Sequence, residues 1–243
     1  MSRKYLGEVF DIHSGGIDAV PVNHENEIAH NEARAGKKTV NYWMHGEFMM
    51  VDGGKMSKSL GNVYTIAQLR EKGYDPLDFR FFCLNAHYRK KLNFTFEGMN
   101  AAKTSRERIM ATLYQHKVSP AKTDEAILTD YKNKFSEAIN DDLNIPLALG
   151  VLFNMLKEPK SKDIYDLALQ FDKVFGLSFD KVSAPKQEEQ NNDIPQEVLD
   201  LVQKRADAKK AKDFALADAI RGQIADLGYN VKDTREGAVI TKQ

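Results

Sequence analysis

Cysteine is nearly missing from this chain of 243 residues, in which Cys83 is the only one. One thiol forms no internal disulfide, which excludes a small cross-linked scaffold and fits a reducing compartment. Cys83 lies in the apolar run Phe79-Arg80-Phe81-Phe82-Cys83-Leu84, where a buried, inert thiol is expected rather than a nucleophile. Net charge is missing too: Lys and Arg total 35, as do Asp and Glu. No global field therefore marks a polyanionic partner, and any nucleic-acid contact has to come from local patches. There is no apolar run of membrane-spanning length, and Met1-Ser2-Arg3-Lys4-Tyr5 opens no signal-peptide core. The reading is a soluble, cytoplasmic protein without membrane contact. What is present, 42% hydrophobic residues, suffices for one large or two modest domains.

The chain changes character along its length, from α/β to mostly α. Gly7 to His13 is a strand candidate, broken sharply by Ser14-Gly15-Gly16. A helix follows from about Asn23 to Ala35, then short buried strands at Val40 to His45 and Glu47 to Val51. Thr65 is positioned to cap a helix through Ile66 and Leu69, and Asp75-Pro76 opens another. Amphipathic segments cover about 97 to 116, 124 to 139, 146 to 157 and 161 to 175, with Leu147, Val151 and Met155 as a core face. Between Ser178 and Gln196 the composition turns polar, centred on Lys186 to Asn192, and reads as a flexible linker. Charged helices near 195 to 210 and 213 to 227 and a terminal extended stretch complete a small last module.

Two stretches carry chemistry. Lys55-Met56-Ser57-Lys58-Ser59, between Asp52-Gly53-Gly54 and Leu60-Gly61-Asn62, places two cationic and two hydroxyl donors on a glycine-flanked loop, a set suited to phosphate oxygens. The bland alternative is a solvated basic turn. Phe10-Asp11-Ile12-His13-Ser14-Gly15-Gly16-Ile17-Asp18 ends a strand in two glycines and a carboxylate. That is how open α/β sheets bring backbone close to a nucleotide and an acid to ribose hydroxyls, and also how many ordinary strand-to-helix turns look.

The string KMSKS continuing as SLGN resembles the signature loop of class I aminoacyl-tRNA synthetases. Asn23-His24-Glu25-Asn26-Glu27-Ile28-Ala29 is similar to the HHENEIA segment of the cysteinyl-tRNA synthetase family, and Asn41 to His45 also resembles that family. Ala86-His87-Tyr88-Arg89 resembles its GHYR segment, Phe135 to Pro146 its DDLNTP block, and Ala206 to Arg221 its carboxy-terminal module. The resemblance implies the second half of a Rossmann-like catalytic domain with the lysine loop over 1–62. A stem-contact helical region follows over 63–118, a helical-bundle anticodon-binding domain over 119–178, a linker over 179–194 and a small tRNA-binding module over 195–243. The HIGH signature of the first half has no counterpart here, so Met1 reads as an internal methionine and the chain as a carboxy-terminal portion.

For the site, the resemblance implies Lys58 and Lys55 as catalytic residues. It implies Gly15, Gly16, Asp18, Ser57, Ser59 and Lys58 on ATP with magnesium, and Lys209, Lys210 and Arg221 on tRNA phosphates. In the family, zinc is held by two cysteines, the first His of HHENE and its last Glu. Asn23 stands at that His, and only Glu27 matches. His24 is the adjacent substitute, three positions from Glu27 on one helical face. Asn is a poor zinc ligand, so a chain without stoichiometric zinc is the expectation. His30 and His116 read as surface helix residues, and direct catalysis by His45 or His87 is not expected.

Two functional classes follow. One is a cysteine-tRNA ligase using ATP, cysteine and tRNA-Cys, inactive in isolation and completed by a separately encoded amino-terminal half. The other is a non-catalytic tRNA-binding or partner module. The related ligase that joins cysteine to a sugar amine also carries KMSKS, but its family lacks the modules matched by 119–243.

Overall fold

The computed structural model describes residues 2–184, 195–211, 213–234 and 237–242. They fall in two units, Met1–Pro185 and Lys186–Gln243. The first opens with a short helix α1 (Ser2–Leu6) and strand β1 (Phe10–Gly16). A 3-10 turn, a π turn and helix α2 (Glu25–Ala35) lead to strand β2 (Val40–Gly46). The two strands pair in parallel, with His13 opposite Trp43 and Gly15 opposite His45, as a β-α-β crossover requires. The expected break at Ser14-Gly15-Gly16 is corrected: these residues pair with Met44, His45 and Gly46, so the strand ends only at Gly16. Helix α2 stops at Gly36, whose φ of 68° is the left-handed cap conformation that glycine adopts without penalty.

Strands β3 (Met49–Val51) and β4 (Gly54–Lys55) form a tight hairpin. Its turn, Asp52-Gly53, has φ of 49° and 76°, the positive values that a two-residue hairpin loop demands. Strand β5 (Leu92–Phe94) pairs in parallel with β3 on the other side.

Helices make up the rest of the unit. Thr65 caps α3 (Ile66–Glu71) as expected, in a reciprocal box with Gln68, and Asp75 does the same on α4 (Pro76–Leu84), with Asp78. Helices α5 (Phe96–Val118), α6 (Glu125–Asn140), α7 (Ile145–Met155) and α8 (Lys162–Phe175) follow. One apolar cluster draws its buried members from Val51 through to Val182. Within it the Phe135 and Phe171 rings stack with centroids 3.8 Å apart.

Three expectations fail on burial. Leu147 is 51% exposed, whereas the expected Met155 is buried and Val151 packs half-buried against the core; α7 also buries Ala148, Leu149 and Leu152. Phe179 and Val182 are buried in the core, so the segment from 179 starts as packed chain. The centre of the expected linker, Lys186 to Asn192, lies outside the described residues. His116, read as a surface residue, is fully buried. Its Nδ1 accepts from the Ser161 amide at 3.2 Å and its Nε2 donates toward Leu156 O at 3.4 Å.

The second unit is a helical pair, α9 (Gln196–Lys210) and α10 (Phe214–Asp226), with an antiparallel hairpin of β6 (Tyr229–Thr234) and β7 (Gly237–Lys242). Val198, Ile220, Ile224, Tyr229 and Val231 form its core. No described helix is long and apolar enough to cross a membrane.

Candidate functional site

Side chains alternate along a strand, so His13 and Gly15 share one face of β1 while Trp43 and His45 share one face of β2. The parallel register sets these two rows side by side. The rings of His13 and Trp43 stack at 4.5 Å. His24, delivered by the π turn before α2, closes the group: it is buried, and its Nδ1 shares a hydrogen bond of 2.8 Å with His45 Nε2. Its ring lies 4.7 Å from His13 edge-on and 4.8 Å from Trp43. Gly15 is required here by close approach, because a Cβ at that position would sit 2.6 Å from His24 Cε1. Glu27 reaches back from the first turn of α2, placing Oε2 3.3 Å from His13 Nε2. Asn23 is exposed and takes no part in these contacts.

At Gly16 the next constraint appears. The carboxylate of Asp18 folds back into the space that a Cβ would need, and Asp18 itself stays exposed on the 3-10 turn Ile17–Ala19. A small cleft of about 160 Å³ opens beside this turn, lined by Ile17, Trp43, His45, Glu47 and Arg89.

The lysine loop is held from within. Asn62 clamps it: the Ser57 amide donates to Asn62 Oδ1 at 2.8 Å, and Asn62 Nδ2 donates to Lys55 O at 3.0 Å. Ser57 Oγ and Ser59 Oγ lie 2.7 Å apart. Lys58 begins a 3-10 turn closed by Gly61, whose φ is 65°. Lys55 and Lys58 are both exposed, and neither is in an ion pair among the described residues. No hydrogen bond or ion pair among the described residues joins this loop to Gly15, Gly16 or Asp18.

His87-Tyr88-Arg89 meets the Asp141-Asp142-Leu143-Asn144 corner between α6 and α7. His87 Nε2 donates to Asp142 O at 2.9 Å, Tyr88 Oη to Asp142 Oδ1 at 2.7 Å, and Arg89 Nε pairs with Asp142 Oδ2 at 2.8 Å. Asp142 and Leu143 both adopt left-handed backbone, with φ of 51° and 55°, a conformation side chains avoid unless their surroundings hold it. The Tyr88 hydrogen bond, followed by the Arg89 charge, pulls the Asp142 carboxyl below its ordinary range.

In the second unit Lys209 is half-buried in the last turn of α9, and Arg221 lies exposed on α10. The side chain of Lys210 lies outside the described residues.

Sequence reasoning named His24 and Glu27 but missed His13 and Trp43. The missed signal is the pair of i, i+2 rows, His13 with Gly15 and Trp43 with His45, on strands flanking one crossover. The thiolate-rich zinc set implied by resemblance does not fit the residues present: the only cysteine, Cys83, is on α4 against the first unit's core, and burial pushes its thiol up. Asn23 offers no good donor.

Comparisons with known proteins follow the same segments. Residues 1–104 match the family described as tRNA synthetases class I (C) catalytic domain, 134–163 the DALR domain, and 191–238 the cysteinyl-tRNA ligase anticodon binding domain. A cysteine–tRNA ligase of Opitutus terrae is 42% identical over 243 residues, covering 98% of this chain and 50% of that protein. One of Brachyspira hyodysenteriae is 38% identical, covering 98% of this chain and 53% of that protein. One of Protochlamydia amoebophila is 36% identical, covering 100% and 53%. The chain thus spans about half the length of the curated relatives it matches.

Proposed function

The chain belongs to the cysteinyl-tRNA synthetase family and corresponds to a carboxy-terminal portion of it; from that premise we propose that it supplies the phosphate-closing and tRNA-binding half of a cysteine–tRNA ligase. The observation that carries this reading is the order of the three family matches, with Lys55 to Ser59 inside the first.

In the proposed reaction a carboxylate oxygen of cysteine bonds to the α-phosphorus of ATP and the bond to pyrophosphate breaks. A hydroxyl at the 3′ end of tRNA-Cys then attacks the acyl carbon, the ester bond forms, and the bond to AMP breaks, releasing AMP. Negative charge grows on the departing phosphates, so a preorganised cation there lowers the barrier. Lys58 fills that role, at the start of a turn that presents its side chain to solvent. Lys55 orders the loop through its carbonyl, which Asn62 holds, and Ser57 and Ser59 offer further donors. Magnesium would share the phosphate charge. Gly15 and Gly16 let backbone approach the nucleoside, and Asp18 accepts from its ribose. No step is assigned to zinc.

Lys209, Lys210 and Arg221 are proposed to meet tRNA phosphates. Each such contact steepens the salt dependence of binding, with a slope of roughly 0.7 per phosphate on single strands.

The β1–β2 pair supports the need for further polypeptide. Parallel strands are normally covered on both faces and extended on both edges. Here the described sheet has only two strands, and Ile12, Tyr42 and Val22 are exposed. We therefore read the proposed activity as requiring an amino-terminal half added to this sheet. The test is cysteine-dependent exchange of pyrophosphate into ATP, assayed with the chain alone and with the amino-terminal half of a relative. Exchange only in the mixture is expected. No exchange in a mixture that binds stoichiometrically would instead favour the non-catalytic tRNA-binding module.

A further inference from the structure

We propose that the groove between α6 and α7 binds a small zwitterion, a free amino acid or a dipeptide, whose ammonium group is received by Glu158 and whose carboxylate is received by Lys157. The groove belongs to helices far along the chain from the lysine loop and the glycine pair. The site stands whether or not the chain is catalytic.

Shape is the first support. A groove of about 400 Å³ is lined by Tyr131 and Lys134 of α6 and by Val151, Asn154, Lys157 and Glu158 at the end of α7. That volume lies within the roughly 300 to 1,000 Å³ of pockets that hold small molecules. Tyr131, Val151 and Glu158 are half-buried, whereas Lys134, Asn154 and Lys157 are exposed. The groove therefore has a mostly apolar floor containing one acid, and a polar rim.

Unmatched charge is the second. Tyr131 Oη donates to Glu158 Oε1 at 2.6 Å, the only side-chain contact of that carboxylate among the described residues. Burial, followed by the hydrogen bond to Glu158, pushes the Tyr131 hydroxyl up to about 12, so it remains a neutral donor at physiological pH. A carboxylate partly withdrawn from water and held by a neutral group alone is best matched by a cation. Glu158 Oε2 is the acceptor left for an ammonium N–H.

The separation of acid and base is the third. Lys157 and Glu158 are adjacent in the turn after α7, yet their side chains part: Glu158 turns across to α6, and Lys157 Nζ reaches back along α7 to Asn154 Oδ1 at 3.0 Å. Asn154 is neutral, and Lys157 is in no ion pair among the described residues. Its ammonium and Asn154 Nδ2 together offer donors to a carboxylate. Lys134 is already paired with Asp130 at 2.6 Å and takes a secondary part. A polyanion such as a phosphate chain would meet Glu158 as a like charge, so the groove favours a ligand that carries both signs.

The competing account is that the Tyr131–Glu158 hydrogen bond only staples α6 to α7 beside solvent. Titration of the ¹⁵N-labelled full chain with phenylalanine and with alanyl-phenylalanine, read by amide shifts and calorimetry, separates the two. Saturable shifts confined to the surroundings of 131–134 and 151–158 are expected, with a dissociation constant on the order of 0.1 to 1 mM for the dipeptide. Whichever of the two binds more tightly identifies the size of the ligand. N-acetyl-phenylalanine, which lacks the ammonium, and phenylalanine amide, which lacks the carboxylate, should each bind at least about tenfold more weakly than phenylalanine. Glu158→Gln should weaken the zwitterions about tenfold without changing the residual affinity for the acetylated ligand, and Lys157→Gln should do the same without changing that for the amide. The comparison of free and capped ligands on wild-type protein answers the question even where a variant misfolds. No saturable shift, equal binding of free and capped ligands, shifts centred elsewhere in the chain, or a short RNA occupying the groove in preference to both zwitterions would each overturn the site.

Discussion

Tyr88 Oη donates to Asp142 Oδ1 at 2.7 Å across 54 residues of sequence. With His87 and Arg89 on the same residue, the contact ties the segment after α4 to the corner between α6 and α7. The corner's left-handed Asp142 and Leu143 are thereby held in place from outside. Asp142→Asn keeps the side-chain shape and removes the charge. The folded carboxyl titrates below the ordinary 3.8, so the unfolded chain binds the proton more readily. The charge then contributes stability above that pH and loses it as pH falls through the folded value. The variant is expected to melt below wild type at neutral pH, with the two converging in strong acid. A gap independent of pH in thermal melts would contradict this.

His116 provides a second pH dependence in a different window. Burial is the main force lowering its pKa from 6.5. Its Nδ1 already accepts the Ser161 amide, an arrangement only the neutral ring provides. The unfolded state therefore takes up a proton first, and stability should fall as pH drops below about 6.5. His116→Leu should be less stable at pH 7.5 and show a flatter profile from there to pH 5. Urea midpoints across that range measure the slope.

Lys58→Ala, in enzyme completed by an amino-terminal half, should slow cysteine activation about a hundredfold, equivalent to about 3 kcal/mol, with little change in ground-state ATP binding. Transfer from preformed cysteinyl-adenylate should be much less affected, because pyrophosphate has already left. Single-turnover rates of the two steps decide the role, and a loss confined to ATP affinity would make the loop a binding turn only.

Gly15→Ala should force the His24 ring aside, since the added Cβ would fall 2.6 Å from it. Overpacking of this kind costs about 1–3 kcal/mol. Trp43 is the only tryptophan and lies 4.8 Å from that ring. A shift in its fluorescence should therefore accompany the lower melting temperature, and an unchanged spectrum would count against the crowding.

Where structure follows from residues close in sequence, it was legible. The caps at Thr65 and Asp75 needed only a side chain and an amide three positions on. Where it follows from partners far along the chain, it was not. Nothing near His116 announces that residues 156 to 161 close over it, and nothing near Ser14 announces that β2 continues the pairing through two glycines. On α7 only Leu147 was misread, because Leu147 and Leu149 are equally apolar and only the neighbouring helices choose between them. The lysine loop was legible as chemistry, while the nest of His13, His24 and Trp43 arises from a register between strands that no local pattern encodes.

Among the described residues from 3 to 48, only His24, Thr39 and Val40 are buried. The helices beyond carry nearly all of the first unit's core. Resistance to local opening follows buried contacts, so the amides of β1, α2 and β2 should exchange with solvent through small excursions. Those of α5, α7 and α8 should wait for the whole unit to come apart. The segment that carries the glycine pair is thus free to breathe on a scaffold that does not, and any ligand or polypeptide that settles on it would be read most sensitively as slowed deuterium uptake there.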